Sequence, residues 1–185
     1  METAGIGVKG AVNGSMYFGK TQDLVTPGLD DLYRRHAATV FRAALRVTGN
    51  PADAEDVLQT VFLRILDHQI QLNPASAAEP YLRRAATNAS IDLLRRKTKR
   101  AESEFPDNHK QDSHKYGSKE NTLLLKERLR RALANQPPEN AELFVMCYLE
   151  GCSYDELAEQ YKVERGTIAS RLHRIRAAIR KDLGE

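Results

Sequence analysis

Apolar side chains recur every three or four residues along most of the chain, which is the spacing of one face of an α-helix. The clearest stripe lies near the C-terminus and consists of Ile168, Leu172, Ile175 and Ile179. We find no segment that predicts a β-strand. The pattern therefore predicts an all-α protein.

Three longer helices are predicted in the first half of the chain, at about 28–48, 51–71 and 75–99. Gly49 ends the first of them. Asn50 is suited to cap the second, because its side chain can accept hydrogen bonds from free amides of the first turn. Pro51 fits that turn, since no amide donor is needed there. The side chains expected to face inward are, in chain order, Leu29, Leu32, Tyr33, Val40, Phe41, Ala44, Leu45, Ala54, Val57, Leu58, Val61, Phe62, Ile65, Leu66, Leu82, Ala85, Ala86, Ala89, Leu93 and Leu94.

The same three helices have polar sides that we expect to face solvent. On the second helix these positions are Asp53, Asp56, Gln59, Thr60 and Arg64, and on the third they are Arg84, Asn88 and Arg95.

Two polar stretches divide the chain. Residues 1–26 lack a sustained apolar period and are predicted to be a flexible tail, and residues 100–121 have too few apolar side chains to offset the ordering of their backbone. We therefore predict a helical domain at 27–99, resembling a three-helix bundle, and a second small domain at 122–185. Four shorter helices are expected in the second domain, at about 122–135, 138–150, 153–161 and 164–182.

The last two predicted helices have the features of a helix-turn-helix. Ser153 and Glu156 form a capping box at the start of the first, and a brief turn leads to a basic second helix. Opposite its apolar stripe lie Gly166, Thr167, Ser170, His173, Arg174 and Lys181, flanked by Arg165 and Arg171. One side of this helix is expected to pack and the other to enter a DNA major groove. The simpler interpretation is an amphipathic surface helix with an arginine-rich solvent side.

Charge is uneven along the chain, although the net charge is only +3. One basic segment spans 80–100 and a second spans 165–181, and they fall in different predicted domains. Two such segments are typical of a protein with two surfaces that face nucleic-acid phosphates. Either segment alone is equally consistent with a solvated helix face.

Composition excludes several classes of protein. No apolar run reaches the roughly 18 residues of a membrane helix, and the N-terminus lacks a signal-peptide pattern, so we expect a cytoplasmic protein. The two cysteines, Cys147 and Cys152, lie in an apolar stretch and are expected to be reduced core thiols. His109 and His114 lie in the polar linker without thiols nearby, so we predict no metal site and no cofactor. No catalytic cluster is present, which argues against an enzyme.

Three stretches in order resemble a known family. They are "LYRRHAATVFRAALRVTGNPADAEDVLQTVFLRIL", then "YLRRAATNASIDLLRRKTKR", and after the linker "LEGCSYDELAEQYKVERGTIASRLHRIRAAIRK". Together they are similar to an extracytoplasmic-function (ECF) sigma factor of bacterial RNA polymerase, of the sigma-70 family. The resemblance implies two helical domains, sigma regions two and four, which recruit core polymerase and recognise the −10 and −35 promoter elements. It also implies a regulatory anti-sigma factor as a partner.

The resemblance assigns candidate contacts to three helices. "DAEDVLQTVF" matches the stretch that binds the clamp helices of the β′ subunit, and the candidates are Asp56 and Gln59 within it and Leu63 directly after it. The resemblance also implies the β flap of the polymerase as a further contact of the protein. The −10 candidates are Arg84, Asn88, Arg95 and Arg96, and the −35 candidates are Arg165, Thr167, Ser170, Arg171, His173 and Arg174.

Several positions depart from the family pattern. Thr60 stands where most members carry an acid, Ala169 replaces a commonly basic residue, and Glu164 replaces a common proline. Lys162 occupies the usual glycine of the turn, so its backbone either adopts a strained positive φ or takes another shape.

Two further side chains near the −10 candidates are expected to have structural roles. Tyr81 stands at a usual tryptophan and is expected to be a core residue. Asp92 is expected to pair with Arg95 or Arg96 on the helix surface.

Two functions remain open at this point. The first is a transcription initiation factor that works with core polymerase through both domains. The alternative is a stand-alone helix-turn-helix regulator that uses only the C-terminal domain and binds an operator without polymerase.

Overall fold

The computed structural model describes residues 28–68, 75–104 and 118–184. These residues form seven α-helices and no strand. The predicted tail at 1–26 and most of the predicted linker lie outside the described residues. The helices are α1 (Leu29–Thr48), α2 (Pro51–Asp67), α3 (Ala75–Glu104), α4 (Ser118–Asn135), α5 (Pro138–Tyr148), α6 (Tyr154–Tyr161) and α7 (Arg165–Leu183).

The first three helices pack on one another as predicted, but Tyr33, which was expected to face inward, is 45% exposed. Gly49 ends α1 with a left-handed backbone at φ 66°, and its amide donates to Leu45. The Asn50 side chain then caps α2, with Oδ1 2.9 Å from the amide nitrogen of Ala52. The buried core of this domain consists of Val40, Ala43, Ala44, Ala54, Val57, Val61, Phe62, Ile65, Ala78, Leu82, Ala86 and Ala89.

The helix ends differ from the prediction in polar stretches, where no apolar pattern fixes the boundary. α2 ends at Asp67 rather than near 71, while α3 continues to Glu104 and α4 begins at Ser118. The predicted linker at 100–121 therefore begins and ends in helix. The residues just past 98 on α3 are exposed, so this extension is held by backbone hydrogen bonds rather than by burial.

The second domain contains the predicted helix-turn-helix. Ser153 Oγ accepts from the Glu156 amide at 3.2 Å, and Glu156 accepts from the Ser153 amide at 2.7 Å, which confirms the capping box. This exchange lowers the pKa of the Glu156 carboxyl. Lys162 caps the end of α6 with φ 53° and ψ 47°, so it adopts the left-handed backbone that the turn needs.

The two cysteines of this domain are partly buried and pack against its core, as expected. Burial raises the pKa of both thiols. Among the described residues, no group of metal-ligating side chains lies together. No described helix is long and apolar enough to cross a membrane.

The two helical domains are in direct contact, chiefly because α3 packs against α4 and α5. Three buried side chains of the first domain, Val47, Ile91 and Leu94, belong to the same apolar cluster as the core of the second. That second core includes Leu133, Leu143, Val145, Met146, Leu157, Ile168, Leu172, Ile175 and Ile179. The contact was not predicted, and Ile91, which was absent from the expected core, is buried in this shared cluster.

Candidate nucleic-acid and polymerase interfaces

The polar side of α7 is open to solvent, as predicted. The stripe formed by Ile168, Leu172, Ile175 and Ile179 is at most 3% exposed and anchors the helix. Five of the six −35 candidates are exposed and Arg171 is half-buried. The buried stripe thus presents the whole candidate set on the outer side of one helix, the geometry needed for a major groove.

Arg165 is held at the start of α7 by the preceding helix. Its Nε lies 3.1 Å from Asp155 Oδ1, and its guanidinium lies 5.9 Å from the centre of the Tyr154 ring. Gly166 follows it on the exposed side, and a Cβ added there would meet nothing within 4 Å. Space for a phosphate is therefore open beside the first turn of the helix, whose free amides favour an anion.

The polymerase candidates Asp56, Gln59 and Leu63 are all exposed on α2. Their spacing of three and four residues places them on one side of the helix. Leu63 is 56% exposed, which leaves a large apolar side chain facing solvent beside two polar ones. Thr60 donates its hydroxyl to the Asp56 carbonyl at 2.7 Å and so is directed back onto the helix.

Asp53 was wrongly expected on that solvent side. Its carboxylate is mostly buried and accepts from Lys97 of α3, with Nζ 2.6 Å from each oxygen. The first turn of α2 lies against α3, and an acid there gains a partner on the neighbouring helix. Lys97, one of the bases of the first basic segment, thus has a structural role.

Arg84 was predicted to face solvent, but it contacts the second domain. Its Nε lies 2.5 Å from Glu142 on α5, and its guanidinium lies 4.9 Å from the centre of the Tyr161 ring. Tyr161 donates its hydroxyl to the same Glu142 oxygen at 2.5 Å. Burial and this carboxylate raise the pKa of Tyr161.

Arg95 also points to the second domain rather than to solvent. It donates to the backbone carbonyls of Ala134, at 3.2 Å, and of Gln136. These carbonyls lie at the C-terminal end of α4, where the helix dipole favours a cation. Arg95 was one of the two partners expected for Asp92.

The remaining −10 candidates differ in exposure. Arg96 is exposed and Asn88 is half-buried. Tyr81 is 38% exposed, so the expectation of a core residue was wrong. The −10 candidates therefore divide between solvent and the contact between domains.

The sequence did not indicate two acids that pair with arginines of the first domain. Glu142 pairs with Arg84, and Glu150 pairs with Arg46. Glu142 is buried, and Glu150 has a side chain only 1% exposed that accepts from Arg46 of α1 at 2.8 Å. Each lies far along the chain from its partner, so no local spacing could indicate the pairs.

Comparison with known proteins agrees with this architecture. The Sigma-70 region 2 family model matches residues 32–100, and the Sigma-70 region 4 model matches residues 126–179. A protein with both regions is a transcription initiation factor. The alternative of a stand-alone regulator does not explain the match to region 2.

Similar curated proteins narrow the family. The chain is 33% identical over 176 residues to the ECF RNA polymerase sigma factor SigE of Mycolicibacterium smegmatis, covering 93% of this chain and 68% of that protein. It is 32% identical to the ECF sigma factor SigL of Mycobacterium tuberculosis, covering 83% and 88% respectively. It is 28% identical to the RNA polymerase sigma factor CarQ of Myxococcus xanthus, covering 89% and 94%. The chain belongs to the ECF sigma factors of the sigma-70 family, which direct RNA polymerase to promoters and are not enzymes.

The comparison with solved structures finds a further sigma factor. The sigma factor RpoE of Bartonella quintana, crystallised in complex with the anti-sigma factor NepR, is 18% identical with a TM-score of 0.48. The match covers 86% of this chain and 98% of that one.

Proposed function

We propose that the factor binds core polymerase through the face of α2 that carries Asp56, Gln59 and Leu63, with the clamp helices of the β′ subunit as the partner surface. The exposed Leu63 beside these polar side chains supports this, because covering it removes apolar surface from water. The second domain binds the β flap. The factor works in the cytoplasm, where the polymerase and the promoter DNA are.

The proposal for the −35 element places α7 in the major groove. Ser170, His173 and Arg174 contact base edges, while Arg165, Thr167 and Arg171 contact phosphates or flanking positions. The observation that carries the proposed function is the exposure of this set opposite a stripe at most 3% exposed. The exposed side of α7 carries many hydrogen-bond donors that contribute little to packing, and such a surface is suited to the negatively charged major groove of DNA.

The proposal for the −10 element assigns recognition and opening to α3. Asn88 hydrogen-bonds a base edge, and Arg84, Arg95 and Arg96 hold the backbone. Strand separation costs on the order of a few kcal/mol per extruded base, which such contacts must offset.

Run-off transcription tests this function as a whole. Core polymerase with and without the purified protein transcribes fragmented genomic DNA of the source organism, and RNA 5′ ends are mapped by sequencing. We expect new start sites that share two upstream elements. Absence of new starts, while another sigma factor works in the same reaction, would overturn the proposal.

The polymerase surface is tested separately by anisotropy of the labelled factor titrated with core enzyme. Asp56→Arg combined with Gln59→Ala is expected to weaken binding at least about tenfold, which corresponds to roughly 1.4 kcal/mol. Glu139→Arg, an exposed reversal on α5, is the matched control and should bind normally. Equal binding by all three proteins would show that the α2 surface is wrongly assigned.

An anti-sigma factor is proposed as a further partner. Family membership supports it, and a protein that covers the polar faces of α2 and α7 would block both polymerase and DNA. The test is affinity purification of the tagged factor from unstressed cells. A stoichiometric second protein is expected, and recovery of polymerase alone would contradict the proposal.

A further inference from the structure

The turn of the helix-turn-helix contains a residue in an unfavourable backbone conformation. Lys162 has φ 53° and ψ 47°, and among the described residues it is the one residue other than glycine with a positive φ. A residue with a Cβ resists this left-handed conformation, which glycine adopts freely. A lysine here therefore lowers the folding equilibrium constant by roughly fivefold relative to glycine.

The fold does not use the side chain of Lys162. That side chain is exposed, and no ion pair or side-chain hydrogen bond to it is present in the part of the chain that the structure describes. Only the backbone amide takes part in the turn, by donating to the carbonyls of Ala158 and Glu159, and glycine would keep both bonds. Strained residues that the fold does not need are typical of functional sites.

The turn lies at one flank of the DNA-facing side of α7. At the start of α6, Asp155 pairs with Arg165 at 3.1 Å. At the end of α6, Tyr161 lies near Arg171, since burial raises the pKa of Tyr161 and the charge of Arg171 acts against this rise. Thus α6 extends from the Arg165 flank to the Arg171 flank. Lys162 directly follows Tyr161, so the turn lies on the Arg171 flank.

We propose that Lys162 contacts a DNA phosphate beside the −35 element, on the strand opposite the one that Arg165 contacts. A helix in the major groove lies between two phosphate backbones, one from each strand. Arg165 faces one of them, and Lys162 and Arg171 face the other. The inference rests on the proposed placement of α7 in the groove.

Lysine is suited to this contact because its ammonium is a compact charge on a flexible stem. The stem lets the charge reach a phosphate from a turn that stays outside the groove, and a phosphate accepts it without a fixed donor geometry. The usual glycine of the turn has no side chain to make the contact. The proposed contact therefore distinguishes this chain from most members of its family.

The salt dependence of DNA binding tests the contact. Preformed holoenzyme is titrated onto a labelled duplex that carries the −35 element of a promoter mapped by the run-off experiment. Lys162→Gln removes the charge and should reduce the slope of log affinity against log salt concentration by about 0.9, a loss of roughly eightfold in affinity at 0.1 M salt. Lys162→Arg keeps the charge and should retain the wild-type slope. Lys126→Gln, an equal change at an exposed site on α4, is the control.

Lys162→Gly separates a DNA contact from a role in folding. It should lose the same slope and affinity as Lys162→Gln, while thermal unfolding shows it to be more stable than the wild type, because glycine removes the strain. A side chain that served only the fold would not weaken DNA binding in a variant that is more stable.

Uncharged methylphosphonate linkages locate the contact. They replace single phosphates, one at a time, along both strands of the −35 duplex. The linkage at the contacted phosphate should weaken wild-type binding about eightfold. It should not weaken Lys162→Gln further, because the pair is already lost. The corresponding position for Arg165→Ala should lie on the other strand.

The outcomes separate this proposal from the −35 assignment of α7. Wild-type affinity and slope in Lys162→Gln, with weakened binding by Arg174→Ala, would overturn the proposal and leave the assignment intact. Contact positions of Lys162 and Arg165 on the same strand would also overturn it. Unchanged binding by Arg165→Ala, Arg174→Ala and Lys162→Gln alike would remove the −35 assignment and the proposal with it.

Discussion

Lys97 of α3 and Asp53 of α2 form an ion pair that joins the two helices, with the ammonium nitrogen 2.6 Å from both carboxylate oxygens. The Asp53 side chain is 13% exposed and that of Lys97 is 54% exposed. The acid is thus largely withdrawn from water and depends on this lysine, which lies among bases that otherwise suggest DNA contact. Lys97 is therefore a structural base in a segment whose other bases include those proposed to contact DNA.

Lys97→Ala is therefore expected to destabilise the protein by about 1–2 kcal/mol, because it leaves a mostly buried carboxylate without its charged partner. Urea unfolding followed by circular dichroism measures the change. The neighbouring Arg96→Ala removes an equal charge from an exposed position and should change stability by less than about 0.5 kcal/mol. Equal effects of the two substitutions would show that the pair contributes little.

The parts of the fold that were predicted correctly depend on local spacing. The α7 stripe, the Ser153 capping box and the Asn50 cap each involve residues within a few positions of one another, where helical geometry determines which groups meet. Arg84 and Ile91 could not be placed in the same way. Their partners lie in the other domain, and only the packing of α3 on α4 and α5 brings them together.

The same limit applies to the candidate sites. The exposure of the α7 set followed from its buried stripe, because one face of a helix determines the other. The exposure of the α3 set could not be predicted in this way. A helix that packs on both sides has a second buried face, and the periodicity of an ordinary amphipathic helix does not reveal that face. The sequence around Arg84 did not indicate whether its guanidinium would bind a phosphate or Glu142.

The turn of the helix-turn-helix offers a stability test. Lys162 adopts φ 53°, a conformation that costs a residue with a Cβ roughly 1 kcal/mol, whereas glycine adopts it freely. Lys162→Gly should therefore raise stability by up to about 1 kcal/mol, with Lys162→Ala giving no gain. Thermal unfolding of the three proteins measures the difference. A loss of stability on substitution with glycine would mean that side-chain contacts of Lys162 outweigh the backbone strain.

The thiols give a prediction about pH. Burial raises the pKa of Cys147 and Cys152, so at any pH near neutrality the folded protein holds less thiolate than an exposed cysteine would. Alkylation by iodoacetamide should be slower in the folded than in the urea-unfolded protein, and its midpoint should lie at higher pH. Because the folded pKa values are raised, stability from this source is present below the unfolded thiol pKa and is lost as pH rises through the folded one. A midpoint below that of the unfolded protein would instead indicate an activated thiol.

Arg165 and Arg174 should differ in what they contribute to −35 binding. Arg165 is held by Asp155 at the start of α7 and is proposed to contact phosphate, so Arg165→Ala should weaken binding to all sequences alike. It should also reduce the slope of log affinity against log salt concentration by about 0.9, the value for one phosphate contact.

Arg174 is exposed farther along the helix and is proposed to contact a base edge. Arg174→Ala should cost about 1–3 kcal/mol on the preferred −35 element and much less on variants of one position, relaxing specificity there. Holoenzyme binding to a set of −35 variants at several salt concentrations measures both effects. Because Arg165 and Arg174 carry the same charge on the same helix, a uniform loss with both substitutions would show that α7 binds only the DNA backbone at these two positions.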